Sequence, residues 1–270
     1  MEKGVKISKN PKITRVTSAF IKECGPDFRF RGETHESWEL VCVTDGHISV
    51  AADNKVFELK KGQAILHSPM QFHNITVMGN AAATIGVFAF CGENIPPIQN
   101  QVFEITDLSK VKTLKELAHK YYEVKSGFGL SGIKKEGSEH LLYIKNLELF
   151  LLELAGNVSK SYQMVSEGAK NYSRIINTMN ENIYERVSIC ELANLCNMSE
   201  INLQKTFSRY AGVGIMEYFN RIKMRKATEL LQSGMSVKQV ALKLGFHDQN
   251  YFSTTFKRIT GHTPSKIKQE

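Results

Sequence analysis

The sequence predicts a two-domain α+β protein. An N-terminal antiparallel β-barrel of the jelly-roll kind, with helices after it, precedes an all-α C-terminal domain in which a long helix joins two helix-turn-helix motifs. Three observations lead there. The first hundred residues are short apolar runs at even spacing, separated by turn residues, as in a small barrel or double sheet. Residues 107–160 turn to apolar positions at helical spacing. The last hundred residues carry one pattern twice, 48 or 49 positions apart.

Taking the elements in order, the candidate strands of the first domain (1–106) are Ser37–Thr44, Ile48–Ala51, Lys55–Leu59, Ala64–His67, Asn74–Met78 and Ala83–Phe90. Asp45-Gly46, Asp53-Asn54, Lys60-Lys61-Gly62, Ser68-Pro69 and Gly79-Asn80 turn the chain between them. Alternation puts His35, Glu39, Val41 and Val43 on one face of the first strand, and Trp38, Leu40 and Cys42 on the other. Near the fifth, His73, Ile75 and Val77 share a face. If both faces point inward, His35, Glu39, Val41 and His73 become candidate ligand-binding residues in a largely apolar cavity, suited to a sugar-like or acidic metabolite. Two histidines and a carboxylate also suit a facial metal triad. The plain structural alternative has His73 capping a turn and His35 at the rim.

Residues 107–160 hold two helical stripes. Leu114, Leu117, Ala118 and Tyr121 form the first; the broader second runs from Leu141 to Leu154 and is apolar over more than one face. That second helix needs covering by the barrel, by the first helix or by another subunit. Gly127–Gly137, with four glycines, reads as a loop between them, and the small polar residues around 161–169 read as a linker.

In the last domain (170–270), Ala241 suits a close helix crossing, Gly245 a left-handed turn, and Phe252, Phe256 and Ile259 the buried face of a second helix. The opposite face shows Gln249, Asn250, Ser253 and Thr254, short polar groups able to reach base edges. Lys257, Arg258, Lys266 and Lys268 gather at its far end, where phosphates would lie. Ala193, Asn197, Leu203, Phe207 and Gly212 repeat the pattern, with Ser199 an N-cap for a helix bearing Glu200, Ile201, Gln204 and Lys205. Gly214–Leu231 reads as the long joining helix. Residues 168–270 hold 15 Lys+Arg against 8 Asp+Glu, so nearly all of the chain's net charge of +8 lies there, as phosphate binding requires. An all-α bundle whose repeats merely pack is the competing reading.

Ala241, Gly245, Phe246, Tyr251, Phe252, Phe256, Lys257, Arg258, Gly261 and Pro264 together resemble the C-terminal signature of the AraC/XylS family of transcription regulators. The spacing of His35, Glu39 and Gly46, then Gly62, Pro69 and His73, resembles a cupin barrel, the usual sensor of that family; Glu33 stands at the first cupin histidine and Gln71 at a glycine. The family's Arg on the long helix is Lys223 here, expected to contact phosphate as a point charge. The chain's end, Pro264-Ser265-Lys266-Ile267-Lys268, lacks the family's aromatic and Arg. The resemblance implies a regulator of double-stranded DNA, with recognition helices in successive major grooves about 34 Å apart. It further implies a small-molecule effector, RNA polymerase as a partner, and a homodimer paired through 107–160. No catalysis, cofactor or resident metal is expected. Two alternatives are a metal-dependent cupin enzyme fused to a DNA-binding domain, and a regulator controlled by a protein partner through a vestigial barrel.

Met1–Lys6 has no apolar run and no stretch nears the roughly 18 apolar residues of a membrane span, so a cytoplasmic protein is expected. Five cysteines without a CxxC pair indicate neither a disulfide framework nor a zinc site.

Overall fold

A computed structural model describes residues 10–98, 101–125, 129–134, 137–159 and 166–267. The chain divides into two units, Met1–Val165 and Ser166–Glu270.

In the first unit nine strands form two antiparallel sheets. They are β1 (Lys12–Cys24), β2 (Arg29–Glu33), β3 (Trp38–Asp45), β4 (His47–Ala52), β5 (Lys55–Lys60), β6 (Gln63–His67), β7 (His73–Val77), β8 (Ala83–Glu93) and β9 (Val102–Glu104). One sheet runs β1-β8-β3-β6-β9 and the other β2-β7-β4-β5. The alternation along β3 separates two cores. Val41 and Val43 meet Ile48, Phe57, Ile75 and Val77 between the sheets. Leu40 and Cys42 join Phe88, Phe90 and Phe103 on the outer face of the five-stranded sheet.

That outer face is covered by α1 (Ser109–Tyr121) through Val111, Leu114 and Ala118, and by α2 (Leu141–Ala155) through Tyr143, Leu147, Phe150, Leu151 and Leu154. A buried carboxylate fixes α2 on β1, where the Ile13 amide donates to Glu148 Oε1 at 2.8 Å. Within the expected loop Gly127–Gly137 the described residues take another form. β10 (Tyr122–Val124) and β11 (Leu130–Ile133) pair as a short hairpin. Glycine content suggested a loop, but backbone pairing decided the conformation.

The second unit is helical: α3 (Glu167–Glu181), α4 (Ile189–Leu195), α5 (Glu200–Ala211), α6 (Ile215–Gln232), α7 (Val237–Lys243), α8 (Gln249–Thr260) and α9 (Pro264–Ile267). Of the expected linker, residues 161–165 lie outside the described residues, and Ser166 already caps α3. The repeat is built into the caps. Ser188 with Glu191 and Ser236 with Gln239 each form a capping box, satisfying the first amides of α4 and α7. Ser199 and Asp248 cap α5 and α8, and left-handed Gly212 and Gly261 end them. No helix among the described residues is long and apolar enough to cross a membrane.

Candidate functional site

In the second unit, two pairs of helices present matching faces. Asn197 and Gly245 both take positive φ, +53° and +77°, and turn the chain from α4 into α5 and from α7 into α8. Leu203, Phe207 and Ala211 bury one side of α5; Phe252, Thr255 and Phe256 bury the equivalent side of α8. The opposite sides are open. Ser199, Glu200, Ile201, Gln204 and Lys205 are exposed on the first, and Gln249, Asn250, Thr254, Lys257 and Arg258 on the second, while Ser253 is half-buried. Ile201, at 81 % exposure, adds an apolar side chain to the first face. Lys266 is exposed, and Lys268 lies outside the described residues.

Lys223 requires correction. It is 5 % exposed, and its ammonium donates to the carbonyls of Glu185 at 2.6 Å and Leu244 at 2.8 Å, under the rings of Phe219 and Phe246. A phosphate cannot reach it. Lys223 is an internal strut that ties the segment before α4 to α6 and to the turn between α7 and α8. Burial lowers its pKa to about 8.

In the first unit, a cavity of about 500 Å³ opens between the sheets. Phe20, Phe28, Phe30, Ile75, Ile85 and Val87 make its apolar walls, and Glu33, His35 and Glu39 its polar end. β3, β7 and the segment between β2 and β3 bring three expected residues together, with His35 in that segment and not on the strand as expected. His35 Nε2 lies 3.4 Å from Glu39 Oε2, and His73 Nε2 lies 3.2 Å from Glu39 Oε1. His73 is fully buried at the start of β7; its Nδ1 lies 3.0 Å from the Gln71 carbonyl in the turn after Pro69, as the plain structural alternative expects, while its Nε2 faces Glu39. Val41 is corrected: it packs wholly in the core between the sheets and is not part of the cavity wall.

Electrostatics at this end are set by burial and proximity. Burial pushes the Glu39 carboxyl upward, but the His35 and His73 imidazoles outweigh it and hold the group below the usual carboxylate range. Glu39 in turn raises the pKa of His35.

Sequence reasoning missed His67. It is fully buried, pairs with Glu39 across β3 and β6, and stacks on His73 with ring centroids 4.4 Å apart. Burial and the neighbouring His73 lower its pKa to about 3, so it is neutral. The signal was available, because period two along β6 puts His67 on the same face as Ile65. The aromatic wall from Phe28 and Phe30 was missed with β2 itself.

Comparisons with known proteins agree with both halves of this arrangement. The AraC-like ligand binding domain family matches residues 15–123, and a helix-turn-helix domain family matches residues 192–270. The transcriptional activator RhaS of Salmonella schwarzengrund (strain CVM19633) is 30% identical over 131 residues, 47% of this chain and 46% of RhaS. AdaA of Bacillus subtilis (strain 168), a bifunctional transcriptional activator and DNA repair enzyme, is 28% identical over 92 residues, 34% of this chain and 44% of AdaA. The matches thus span about half the length of these relatives. The structure of ToxT from Vibrio cholerae strain SCE256 with bound unsaturated fatty acid aligns over 94% of this chain and 95% of ToxT, at 14% identity and a TM-score of 0.37.

Proposed function

We propose that this chain, which matches the AraC-like ligand binding domain family in its first unit and a helix-turn-helix domain family in its second, is a sequence-specific transcription regulator of the AraC/XylS family whose activity is set by a small molecule held in the cavity of the first unit. The observation that carries the DNA half is the reader built twice, with caps, turns and open polar faces repeating at 48 or 49 residues. Ser199, Glu200, Ile201, Gln204 and Lys205 belong to the first reading face, and Gln249, Asn250, Ser253, Thr254, Lys257 and Arg258 to the second. It acts in the cytoplasm and engages RNA polymerase at the promoters it controls.

The sensor half rests on the cavity. Its apolar walls accept the body of a small metabolite, His35 and Glu39 meet the polar end, and His73, buried outside the cavity lining, backs Glu39. Ligand binding then shifts the balance between two states of the regulator that engage DNA differently. A thermal-shift screen of the full chain against sugars and small organic acids should yield a ligand that raises the melting temperature. His73→Ala should abolish that shift and the reporter response, while DNA binding in vitro persists. A His35→Ala/His73→Ala variant that still responds normally places the effector elsewhere.

The active form is a homodimer paired through α2. Docking on the sheet buries one side of this helix, yet Leu141, Leu142, Leu149 and Leu152 stay between 41 and 55 % exposed on the other. Such a row of leucines suits a second copy of the same helix. Leu149→Lys/Leu152→Lys is expected to sediment as a folded monomer at concentrations where the parent chain is dimeric. A parent chain that is monomeric at every concentration overturns this part of the reading.

A further inference from the structure

Along β1, Ser18, Phe20 and Lys22 follow in steps of two, and all three line the cavity. Ser18 pairs with Ala89, Phe20 with Val87 and Lys22 with Ile85, and Ala89 pairs in turn with Glu39 on β3. Lys22 therefore stands four residues along the sheet from the row of Glu39, about 13 Å at roughly 3.3 Å per residue. Between those rows the cavity is apolar, walled by Phe20, Phe30, Ile75 and Val87. Lys22 lies over the Phe28 ring, its ammonium 4.7 Å from the centroid, and pairs with no carboxylate among the described residues. At the other end Glu39 is already answered by His35 and His73. Glu33 is not: it accepts no hydrogen bond among the described residues, and His35 Nε2 stands 3.8 Å away.

Among the described residues, the cavity thus carries an open cation and an open anion at opposite ends of an apolar body. A ligand that fills it takes water from both, and a charge stripped of water is costly until an opposite charge replaces that water. Because the cavity is read above as the effector site, and on that reading alone, we propose that its ligand is an organic acid with an amino group at the far end of an apolar chain. The ligand's carboxylate meets Lys22 and its ammonium meets Glu33. An ammonium only donates and a carboxylate only accepts, so the two ends of the ligand cannot be exchanged. An acid without the amine leaves Glu33 unanswered, and an amine without the acid leaves Lys22 so. An α-amino acid holds both charges on one carbon and cannot reach both ends. Two kinds of molecule share the required chemistry. One is an ω-amino acid; the other is an extended tripeptide, which at up to about 3.3–3.6 Å per residue spans a similar gap. A cavity of about 500 Å³ has room for either.

Calorimetric titration of the full chain with ω-aminooctanoic acid, octanoic acid, octylamine, leucine and trialanine tests this. ω-Aminooctanoic acid is expected to bind at a single site. Octanoic acid and octylamine, each lacking one head, should bind about tenfold to a hundredfold more weakly, the loss of one charge-assisted hydrogen bond. Leucine should do no better than either. Each head is then matched to its residue. Lys22→Met should weaken ω-aminooctanoic acid by that same factor and leave octylamine binding no weaker; Glu33→Gln should do the same while sparing octanoic acid. Circular dichroism verifies that both variants are folded. Trialanine binding more tightly than ω-aminooctanoic acid identifies a peptide as the source, and the reverse order an ω-amino acid; both orders support the proposal. It is overturned if neither zwitterion binds, if octanoic acid binds as tightly as ω-aminooctanoic acid, or if neither variant changes the affinity. The effector reading fails separately. It stands if a sugar or a one-headed acid raises the melting temperature, and it falls if His35→Ala/His73→Ala still responds normally.

Discussion

Gly245→Val is expected to abolish specific DNA binding by the full chain and to lower the melting temperature of the second unit by more than 10 °C. Two costs add at this position. The backbone has φ of +77°, which a β-branched residue adopts only at roughly 1–3 kcal/mol. A β-carbon would also stand 3.0 Å from the Arg186 nitrogen and 3.0 Å from the Glu185 carbonyl carbon, both main-chain atoms. The obstructing segment cannot simply withdraw, because Lys223 holds Glu185 and Leu244 to one ammonium. Relief therefore requires the turn between α7 and α8 to move, and with it the reading face of α8. At about 4–8 °C per kcal/mol for a unit of this size, a loss of some 3 kcal/mol gives the stated shift. Gly234→Ala is the control. It has φ of +94° but open space around it, so it should cost about 1 kcal/mol and leave DNA binding intact. Equal effects for the two variants would show that close approach at Gly245 is unimportant.

The same two positions show how far the sequence could be read. Gly245 and Asn197 were legible as left-handed turns, since few residues tolerate positive φ and both stand at the same point of a repeat. The Ser199 cap and the buried phenylalanines followed from the same local chemistry, whereas the caps at Ser188, Ser236 and Asp248 were not read. Lys223 was not legible. A lysine in a basic helical domain reads as a surface charge, and only the tertiary arrangement brings two main-chain carbonyls and two aromatic rings around it.

In the first unit, period two located Glu39 and His73, because parity along a strand survives without knowledge of its neighbours; His35 lies in the connection between β2 and β3, where a contact with the Ser37 carbonyl and not strand parity turns it toward Glu39. β1 escaped notice for the opposite reason. Its thirteen residues carry two register shifts and scattered charges, so no clean alternation appears, and only pairing with β8 makes it a strand. Period two along β6 gave the face of His67, but its place opposite Glu39 is a register that β3 alone does not contain.

DNA affinity of the full chain should fall about a thousandfold between about 50 and 200 mM salt if six phosphates are neutralised. Lys205, Arg209, Lys243, Lys257, Arg258 and Lys266 are exposed in the second unit and supply that many cations. Against this uniform background the base-reading side chains should stand out. Gln204→Ala and Asn250→Ala should each cost about 1–3 kcal/mol on the specific site and little on random DNA. Arg258→Ala should weaken both DNAs equally and reduce the salt slope by about one. Between the readers, the first should discriminate more strongly. Gln204 and Lys205 reach outward beside the exposed Ile201, whereas α8 offers short Thr254 and a half-buried Ser253. Base substitutions in the half-site under α5 should therefore lower affinity more than those under α8. An affinity indifferent to salt overturns the phosphate assignment. Equal behaviour of Gln204→Ala and Arg258→Ala on both DNAs overturns the assignment of the reading face, because a side chain directed at bases must distinguish sequences that a phosphate contact cannot.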